Sequence, residues 1–357
     1  MRSGVGPASG TPGRRCRYRG VETALAYGPD PGTEHAAMLE GVAIVDSSWR
    51  REIVASGGDR LEFLQGQLSN DIAGLETGRG CPTLALNRQG RVVATLAAYR
   101  RPDDLLLVTD AAQLDATEQA LRRFLVADEV EFERRDPGEG FSLIGPAAPG
   151  LLRGAGYEAE LERGSWSVSR GRLWGVEVRV LGRDDLSPPA FDLSLADPTE
   201  AGALASKLER AGAVWAGVEA LERLRIESGT PLHGVDVDES RLAIEARLEW
   251  AIHFAKGCYL GQEVIERSVS RGRVNRLLSL LETEGEIAPG DGIEGGGESE
   301  TVTSVSGCFD RRRLALAYLA VDRAGCGVDV DIVSSRGPVT ARVLDWPREP
   351  VLPGREN

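Results

Sequence analysis

The sequence between residues 254 and 263 is Phe254-Ala255-Lys256-Gly257-Cys258-Tyr259-Leu260-Gly261-Gln262-Glu263, and it carries most of the information about how this chain folds. It sets one cysteine between two glycines, behind a lysine and ahead of a Gln-Glu pair. A thiol reacts as its thiolate, and about 3% of an ordinary cysteine is ionised at pH 7. A nearby ammonium lowers the pKa of a thiol, and glycines allow a sharp turn or the close approach of a ligand. The stretch therefore predicts a reactive Cys258 that is activated by Lys256.

Several further stretches, together with this one, carry a resemblance to a known family. Residues 256–263, followed by Arg267-x-x-x-Arg271-Gly272, resemble the signature of the YgfZ-type folate-binding proteins, relatives of the glycine-cleavage T-protein (aminomethyltransferase). Other segments agree with the family in the same order along the chain, from about Ala36 to about Pro347. They are Val45-Asp46-Ser47-Ser48, Phe63-Leu64-Gln65-Gly66-Gln67-Leu68-Ser69-Asn70-Asp71-Ile72, Leu143-Ile144-Gly145-Pro146 and Leu224-Arg225-Ile226-Glu227-Ser228-Gly229-Thr230-Pro231-Leu232.

The resemblance implies a fold and a function. The fold is α+β, with two intertwined ferredoxin-like domains and a small C-terminal β-barrel around a central folate cavity. The cofactor is tetrahydrofolate or a one-carbon derivative of it. The function is that of an accessory protein in iron–sulfur cluster assembly or repair, whose partners are iron–sulfur client or assembly proteins and whose motif cysteine is essential.

The folate-binding residues follow from the same resemblance. Glu227 is expected to accept hydrogen bonds from the pterin ring, since a carboxylate suits two neighbouring N–H donors. Arg225, in the same segment as Glu227, and Gln262, in the motif of residues 256–263, are also predicted to bind the folate. Arg271 and Arg276 are expected to bind the glutamate carboxylates of the folate tail, although a basic run is more often ordinary surface charge.

One departure from the enzymes of the family concerns their catalytic carboxylate. The family's aminomethyltransferases carry an Asp-Asp pair on the strand that follows an N-x-x-G-G turn, and the matching positions here are Ala94 and Thr95. Neither side chain transfers a proton, so the prediction is a retained folate pocket without the classical aminomethyltransferase chemistry. A folate-dependent aminomethyl or methyl transferase with altered catalytic groups stays open as the alternative. An interaction module that no longer binds folate is a third possibility.

Composition limits the remaining possibilities. The chain has 357 residues, a net charge of −13 and five widely spaced cysteines without a C-x-x-C pair. These features argue against a disulfide framework, a self-contained metal site and a nucleic-acid scaffold, and no apolar run approaches the length of a membrane span. We expect a monomeric cytoplasmic protein with no metal and no direct nucleic-acid or membrane partner.

The predicted domains are a disordered tail over residues 1–34, the two folate-binding domains over 35–272, the barrel over 273–349 and a tail over 350–357. Strands are expected at 53–55, 92–99, 105–108 and 130–133, and two more between Trp166 and Val180 around a Gly171-Arg172 turn. Helices are expected at 59–68, 111–125 with Asp110 as the cap, 198–211 and 219–227. After Arg273 the pattern becomes short strands separated by glycine-rich turns, at 276–281, 302–306, 314–319, 329–333 and 340–344.

Overall fold

The computed structural model of the protein describes residues 14–135, 140–161, 165–270 and 274–349. The strands of these residues are β1 (Arg14–Tyr18), β2 (Val21–Ala26), β3 (Ala43–Asp46), β4 (Arg50–Ser56), β5 (Gly80–Leu86), β6 (Val92–Arg100), β7 (Leu105–Asp110), β8 (Glu131–Arg135), β9 (Gly140–Ile144), β10 (Ser167–Leu173), β11 (Val176–Arg183), β12 (Ala190–Leu195), β13 (Val214–Trp215), β14 (Arg276–Thr283), β15 (Gly292–Ile293), β16 (Val302–Val305), β17 (Arg313–Ala320), β18 (Asp329–Ser334) and β19 (Gly337–Val343). The helices are α1 (Pro31–Glu40), α2 (Arg60–Gln67), α3 (Leu114–Arg122), α4 (Ala148–Gly154), α5 (Ala201–Arg210), α6 (Val218–Glu227) and α7 (Gln262–Ser270), with 3-10 turns at Pro198–Glu200 and Glu249–Ala251.

The chain divides into two compact units. The first comprises Met1–Phe63, Ala73–Cys81 and Leu96–Leu224, and the second comprises Leu64–Ile72, Pro82–Thr95 and Arg225–Asn357. The second unit therefore contains the predicted barrel, the motif loop around Cys258 and two short segments from the first hundred residues. The two ferredoxin-like domains with a boundary at residue 272 stay a prediction.

The first unit is organised around a six-stranded sheet of order β10-β11-β12-β9-β3-β13. Its strand pairs are antiparallel except for the short parallel pair between β13 and β3. Alternate side chains of these strands pack with α4 and α5 in one hydrophobic core, which includes Phe141, Phe191 and Trp215. A second sheet has the order β5-β6-β7-β4-β8. The predominance of antiparallel strand pairs in a fold that also contains helices confirms the predicted α+β class.

The second unit carries the C-terminal six-stranded sheet, of order β15-β18-β19-β14-β17-β16. The sheet nearly closes on itself, because Gly292 at the start of β15 also forms a bridge with Thr301, just before β16. The Ile293 N–H donates to the Glu300 carbonyl at 3.1 Å and the Val302 N–H to the Asp291 carbonyl at 2.9 Å. The predicted barrel-like region is thus confirmed as a nearly closed antiparallel sheet.

The N-terminal prediction needs a correction. Residues 14–26 form the β1–β2 hairpin and α1 begins at Pro31, so residues 14–34 are not a disordered tail; residues 1–13 lie outside the described part. The Tyr18 hydroxyl donates to the Glu222 carboxylate at 2.6 Å. The buried Glu34 carboxylate accepts from the backbone N–H groups of Tyr27 and Gly217 at 2.7 Å each. These contacts hold a segment whose composition resembles that of a flexible tail.

Two local predictions were also wrong. The β10–β11 turn lies at Trp174-Gly175, where both residues have positive φ as a two-residue hairpin turn requires, whereas Gly171 pairs with Val178 inside the ladder. Helix α3 begins at Leu114 without a side-chain cap. Asp110 does not cap it, because its carboxylate forms an ion pair with Arg19 at 2.9 Å.

Candidate functional site

The motif loop that contains Cys258 is fixed through the side chain of Lys256. The ammonium is buried, with 8% of the residue exposed, and it donates to three backbone carbonyl oxygens. These belong to Gln65 at 2.7 Å, Leu68 at 2.6 Å and Asn70 at 2.7 Å, at and just beyond the C-terminus of α2. Carbonyls at the end of a helix have no partner within it, and a cation there also interacts favourably with the helix dipole. Lys256 therefore joins the motif loop to the end of α2.

This geometry gives Lys256 a structural role, and its predicted role as an activator of the thiol stays a prediction. An ammonium has three N–H groups, and here all three are directed to carbonyl oxygens. The chain uses lysine only twice among its 42 basic residues, at Lys207 and Lys256. A planar guanidinium cannot direct three donors to three converging carbonyls in this way, and this gives a physical reason for lysine at residue 256 in an arginine-rich chain.

Cys258 lies beyond this attachment and is exposed to solvent. The next residue, Tyr259, is buried, and its ring centroid lies 5.1 Å from the Lys256 Nζ. The loop thus buries the lysine and the tyrosine and presents the cysteine. Cys308 and Cys326 are also exposed, whereas Cys81 is buried and Cys16 is half-buried. Exposure alone therefore does not single out Cys258, and what distinguishes it is the loop that holds it.

Gln262 is the first residue of α7, and its side chain serves the start of that helix. Its Oε1 accepts from the Tyr259 N–H at 3.3 Å, and its Nε2 donates to the Glu266 carboxylate at 2.6 Å. These bonds satisfy a donor just before the helix and link the first two turns. Whether Gln262 also binds folate stays a prediction.

Arg225 forms a buried ion pair in the second unit, and 1% of its side chain is exposed. Its guanidinium donates to the Asp236 carboxylate and the Thr230 carbonyl, each at 2.7 Å, and to the Ser304 hydroxyl at 2.8 Å. Asp236 also accepts from the Leu232 N–H at 2.8 Å. We therefore assign Arg225 a structural role in place of the predicted contact with folate. Asp236 is fully buried in this network.

Glu227 is the last residue of α6 and is half-buried. The chain turns directly after it at Ser228-Gly229, where Gly229 has a φ of +61°. A Cβ at residue 229 would stand 2.7 Å from the Pro347 ring, so the C-terminal segment packs closely over this turn. The role of this half-buried carboxylate as the pterin acceptor stays a prediction.

The structure describes one of the two arginines that are predicted to bind the folate tail. The Arg276 Nε donates to the Glu245 carboxylate at 3.2 Å, and about a quarter of the arginine side chain is exposed. Glu245 is itself buried and accepts from the Leu242 N–H at 3.2 Å. Arg276 is therefore partly neutralised by an internal carboxylate. Arg271 lies outside the described residues.

The strand on which the enzyme family's carboxylates are predicted to lie has none here. On β6, Ala94 is buried and Thr95 is half-buried. The β5–β6 turn before them is held by Asn87, whose Oδ1 accepts from the N–H groups of Gln89 at 3.0 Å and Arg91 at 3.1 Å. The turn is ordered, yet the strand offers a hydroxyl and a methyl where a proton acceptor is expected.

Glu249 is a carboxylate that sequence analysis missed. It lies in the 3-10 turn Glu249–Ala251 and is 6% exposed. Burial raises the pKa of Glu249 to about 7, against the opposing effects of its own backbone N–H and the Arg247 charge. The surrounding sequence, Glu245-Ala246-Arg247-Leu248-Glu249, alternates charges and carries no signal that one of them is buried.

Two further properties follow from the described residues. Within residues 14–135, 140–161, 165–270 and 274–349, no group of three or more His, Cys, Asp or Glu side chains is arranged to hold a metal ion. In the same ranges, every helix is too short or too polar to cross a bilayer.

Comparison with known proteins identifies the family. Residues 17–256 match the family model of the GCVT N-terminal domain. An aminomethyltransferase of Thermus thermophilus is 30% identical over 296 residues, which cover 80% of this chain and 82% of that protein. An aminomethyltransferase of Rubrobacter xylanophilus is 29% identical over 324 residues, which cover 88% of this chain and 85% of that protein.

The fold is shared with a solved structure of similar length. The glycine cleavage system aminomethyltransferase T from Bartonella henselae superposes with a TM-score of 0.83 at 22% identity, over 94% of this chain and 93% of that one. The predicted relationship to the T-protein superfamily is confirmed, whereas the narrower YgfZ-type assignment stays a prediction.

Proposed function

The chain belongs to the family defined by the GCVT N-terminal domain, and we propose that it binds tetrahydrofolate and transfers a one-carbon unit of the aminomethyl or methyl type. One observation carries this proposal: the proteins to which it is similar over most of both lengths are aminomethyltransferases. This proposal is the one that the sequence left open as the alternative.

The second unit offers the chemistry that such binding needs. In the proposal, the Glu227 carboxylate accepts the paired N–H donors of the pterin ring, and each charge-assisted hydrogen bond contributes roughly 1.5–3 kcal/mol. Arg225 does not contact the folate in this proposal. Its ion pair with Asp236 anchors the last turn of α6 and so positions Glu227. Arg276 contacts the acidic tail of the folate with the part of its guanidinium that Glu245 does not occupy.

The missing carboxylate at Ala94 and Thr95 sets an expectation for the rate. A positioned general acid or base typically contributes 10²–10⁴-fold to a reaction, so we expect slow turnover compared with an enzyme that has the aspartate. The activity would then rest on binding and orientation of the folate and the one-carbon donor. Introducing the carboxylate as Thr95→Asp tests this, because a rise in turnover at unchanged folate affinity would identify the position as catalytic.

The decisive experiment measures both binding and turnover. Purified protein is titrated with 5-formyl-tetrahydrofolate and then assayed with tetrahydrofolate and an aminomethyl donor. We expect folate binding that falls roughly ten- to a hundredfold in Glu227→Ala and is unchanged in Glu284→Ala, an exposed glutamate of the barrel-like region. Binding without turnover by either the wild type or Thr95→Asp would contradict the transferase proposal.

A second candidate function rests on the exposed Cys258. Its loop is attached to α2 through Lys256 and leaves the thiol accessible, as expected for a cysteine that meets a client protein. This is the iron–sulfur assembly or repair role of the YgfZ-type proteins. A deletion strain assayed for iron–sulfur enzymes separates the candidates. Rescue lost in Cys258→Ser, retained in Cys308→Ser and independent of turnover would favour this second function.

A further inference from the structure

Two cavities in the first compact unit share the side chains of Arg135 and Arg170. The larger has a volume of about 700 Å³ and is bounded by residues of β4, β8, β10, β11 and β12. The smaller, of about 460 Å³, is bounded by residues 77–78, 100–104, 135 and 168–170. Volumes of this size are typical of sites for small molecules. We call the two cavities together the arginine groove, after the arginines that line it: Arg100, Arg101, Arg135, Arg170, Arg172 and Arg179.

The charge of the arginine groove is opposite to that of the protein. Six arginines line it against four carboxylates, whereas the whole chain carries a net charge of −13. The carboxylates are Glu52, Asp103, Asp104 and Glu177. A locally positive concave surface in an acidic protein concentrates anions, because its low-dielectric walls focus the field.

The carboxylates hold some of the arginines in place without occupying all of their donors. Arg101 pairs with Asp104 at 2.5 Å, and Arg172 pairs with Glu177 at 2.8 Å. The Arg179 guanidinium contacts the buried Glu52 carboxylate and donates to the Ser194 hydroxyl at 3.0 Å. The acidic residues thus orient the arginine side chains that form the wall.

Two guanidinium groups in the wall retain unused donors. Within the described part of the chain, the Arg170 guanidinium has no hydrogen-bond or ion-pair partner, and the buried Nε of Arg179 has no hydrogen-bond partner. Burial lowers the pKa of Arg179, and the neighbouring charges of Arg101 and Arg170 lower it further, against the opposing effect of Glu52. The cations therefore repel one another, and an anion among them would relieve the repulsion.

We propose that the arginine groove binds a small molecule with at least two phosphate or carboxylate groups, through Arg170 and Arg135. Arg170 reaches both cavities, so one ligand with two separated anionic groups can occupy them together. Guanidinium groups suit both kinds of oxyanion, because their planar donors pair with two oxygens at once. The volume favours a metabolite over a single inorganic ion. The proposal is independent of folate binding, since it uses no residue of the second unit.

Isothermal titration with inorganic pyrophosphate and, separately, with citrate tests the proposal at low ionic strength, where screening is weak. We expect saturable binding of at least one of the two, with one site per chain. The preference between them distinguishes a phosphorylated ligand from a carboxylate ligand. Arg170→Ala should weaken the binding about tenfold or more, which corresponds to the loss of about 1.4 kcal/mol.

The controls address folding and general charge effects. Arg170 is exposed on β10, so Arg170→Gln retains the stem of the side chain and serves as a second variant if the alanine change disturbs folding. Arg153→Ala removes an exposed arginine of α4, outside the arginine groove, and should leave the affinity unchanged. Glu227→Ala should also bind both probes normally. No saturable binding of either probe, or equal weakening by Arg153→Ala and Arg170→Ala, would overturn the proposal.

Discussion

Gly261 lies so close to Asn87 that a Cβ atom at residue 261 would stand 2.7 Å from the Asn87 carbonyl oxygen. The same Cβ would stand 3.2 Å from the Cα of Gly90, in the same β5–β6 turn. The second glycine of the motif thus lets the loop that carries Cys258 pack directly against the turn that precedes Ala94 and Thr95. The motif and this turn are one structural assembly within the second unit.

Gly261→Ala is expected to destabilise the protein. Gly261 has a φ of +86°, which costs a non-glycine residue about 1–2 kcal/mol, and the overlap with the turn adds a similar amount. We expect the free energy of unfolding in urea to fall by about 2–4 kcal/mol. Gly257→Ala is the matched control, because no atom lies within 4 Å of a Cβ at residue 257. Equal stability of the two variants would contradict this account.

Lys256→Met should also destabilise the protein, because it removes three charge-assisted hydrogen bonds and leaves three carbonyls partly unsatisfied. We expect a loss of about 3–5 kcal/mol in urea unfolding. Lys207→Met, at a half-buried lysine whose Nζ makes a long 3.4 Å bond to the Trp174 carbonyl, should have little effect. In the folded variant, Cys258 should keep its rate of alkylation by iodoacetamide, since the three N–H groups of Lys256 are directed to carbonyls. A stable Lys256→Met protein with slow alkylation would instead restore the activating role.

These residues show which parts of the site the sequence can reveal. The motif of residues 256–263 has a distinctive composition, so its importance is visible directly. The partners of Lys256 are backbone carbonyls from residues 65, 68 and 70, and a backbone carbonyl leaves no trace in the sequence because every residue has one. Spacing and composition therefore locate the lysine but cannot assign its role.

The strands and helices were predicted where local patterns decide them. The short strands after Arg273 follow from regular spacing between glycine-rich turns, and they were found within a few residues of their predicted ends. The β1–β2 hairpin was missed because it depends on distant contacts such as that of Tyr18 with Glu222. Local composition contains no information about a partner some two hundred residues away.

Arg225→Met is expected to leave Asp236 as a buried charge without its ion-pair partner. Such a loss costs about 3–5 kcal/mol, so the variant should unfold at markedly lower urea concentration. The double variant Arg225→Met/Asp236→Asn should recover part of this stability, since residues in one ion pair couple by about 0.5–3 kcal/mol. If the double variant is no more stable than Arg225→Met, the ion pair is not the source of the effect.

Glu249→Gln should change how stability depends on pH. Burial raises the pKa of Glu249 from 4.5 to about 7 in the folded protein, so the folded state holds this proton more tightly than the unfolded state. The favourable contribution of protonated Glu249 to stability is fully present below pH 4.5 and is lost as the pH rises through about 7. The difference between the two pKa values corresponds to about 3 kcal/mol. Glutamine does not titrate, so the stability of Glu249→Gln relative to the wild type should rise by about that amount between pH 4.5 and pH 8.

Urea unfolding across this range measures the difference in stability between Glu249→Gln and the wild type, with the exposed Glu284→Gln as the control. A difference that stays constant with pH would mean that Glu249 titrates alike in the folded and unfolded chains, as a solvated carboxylate does.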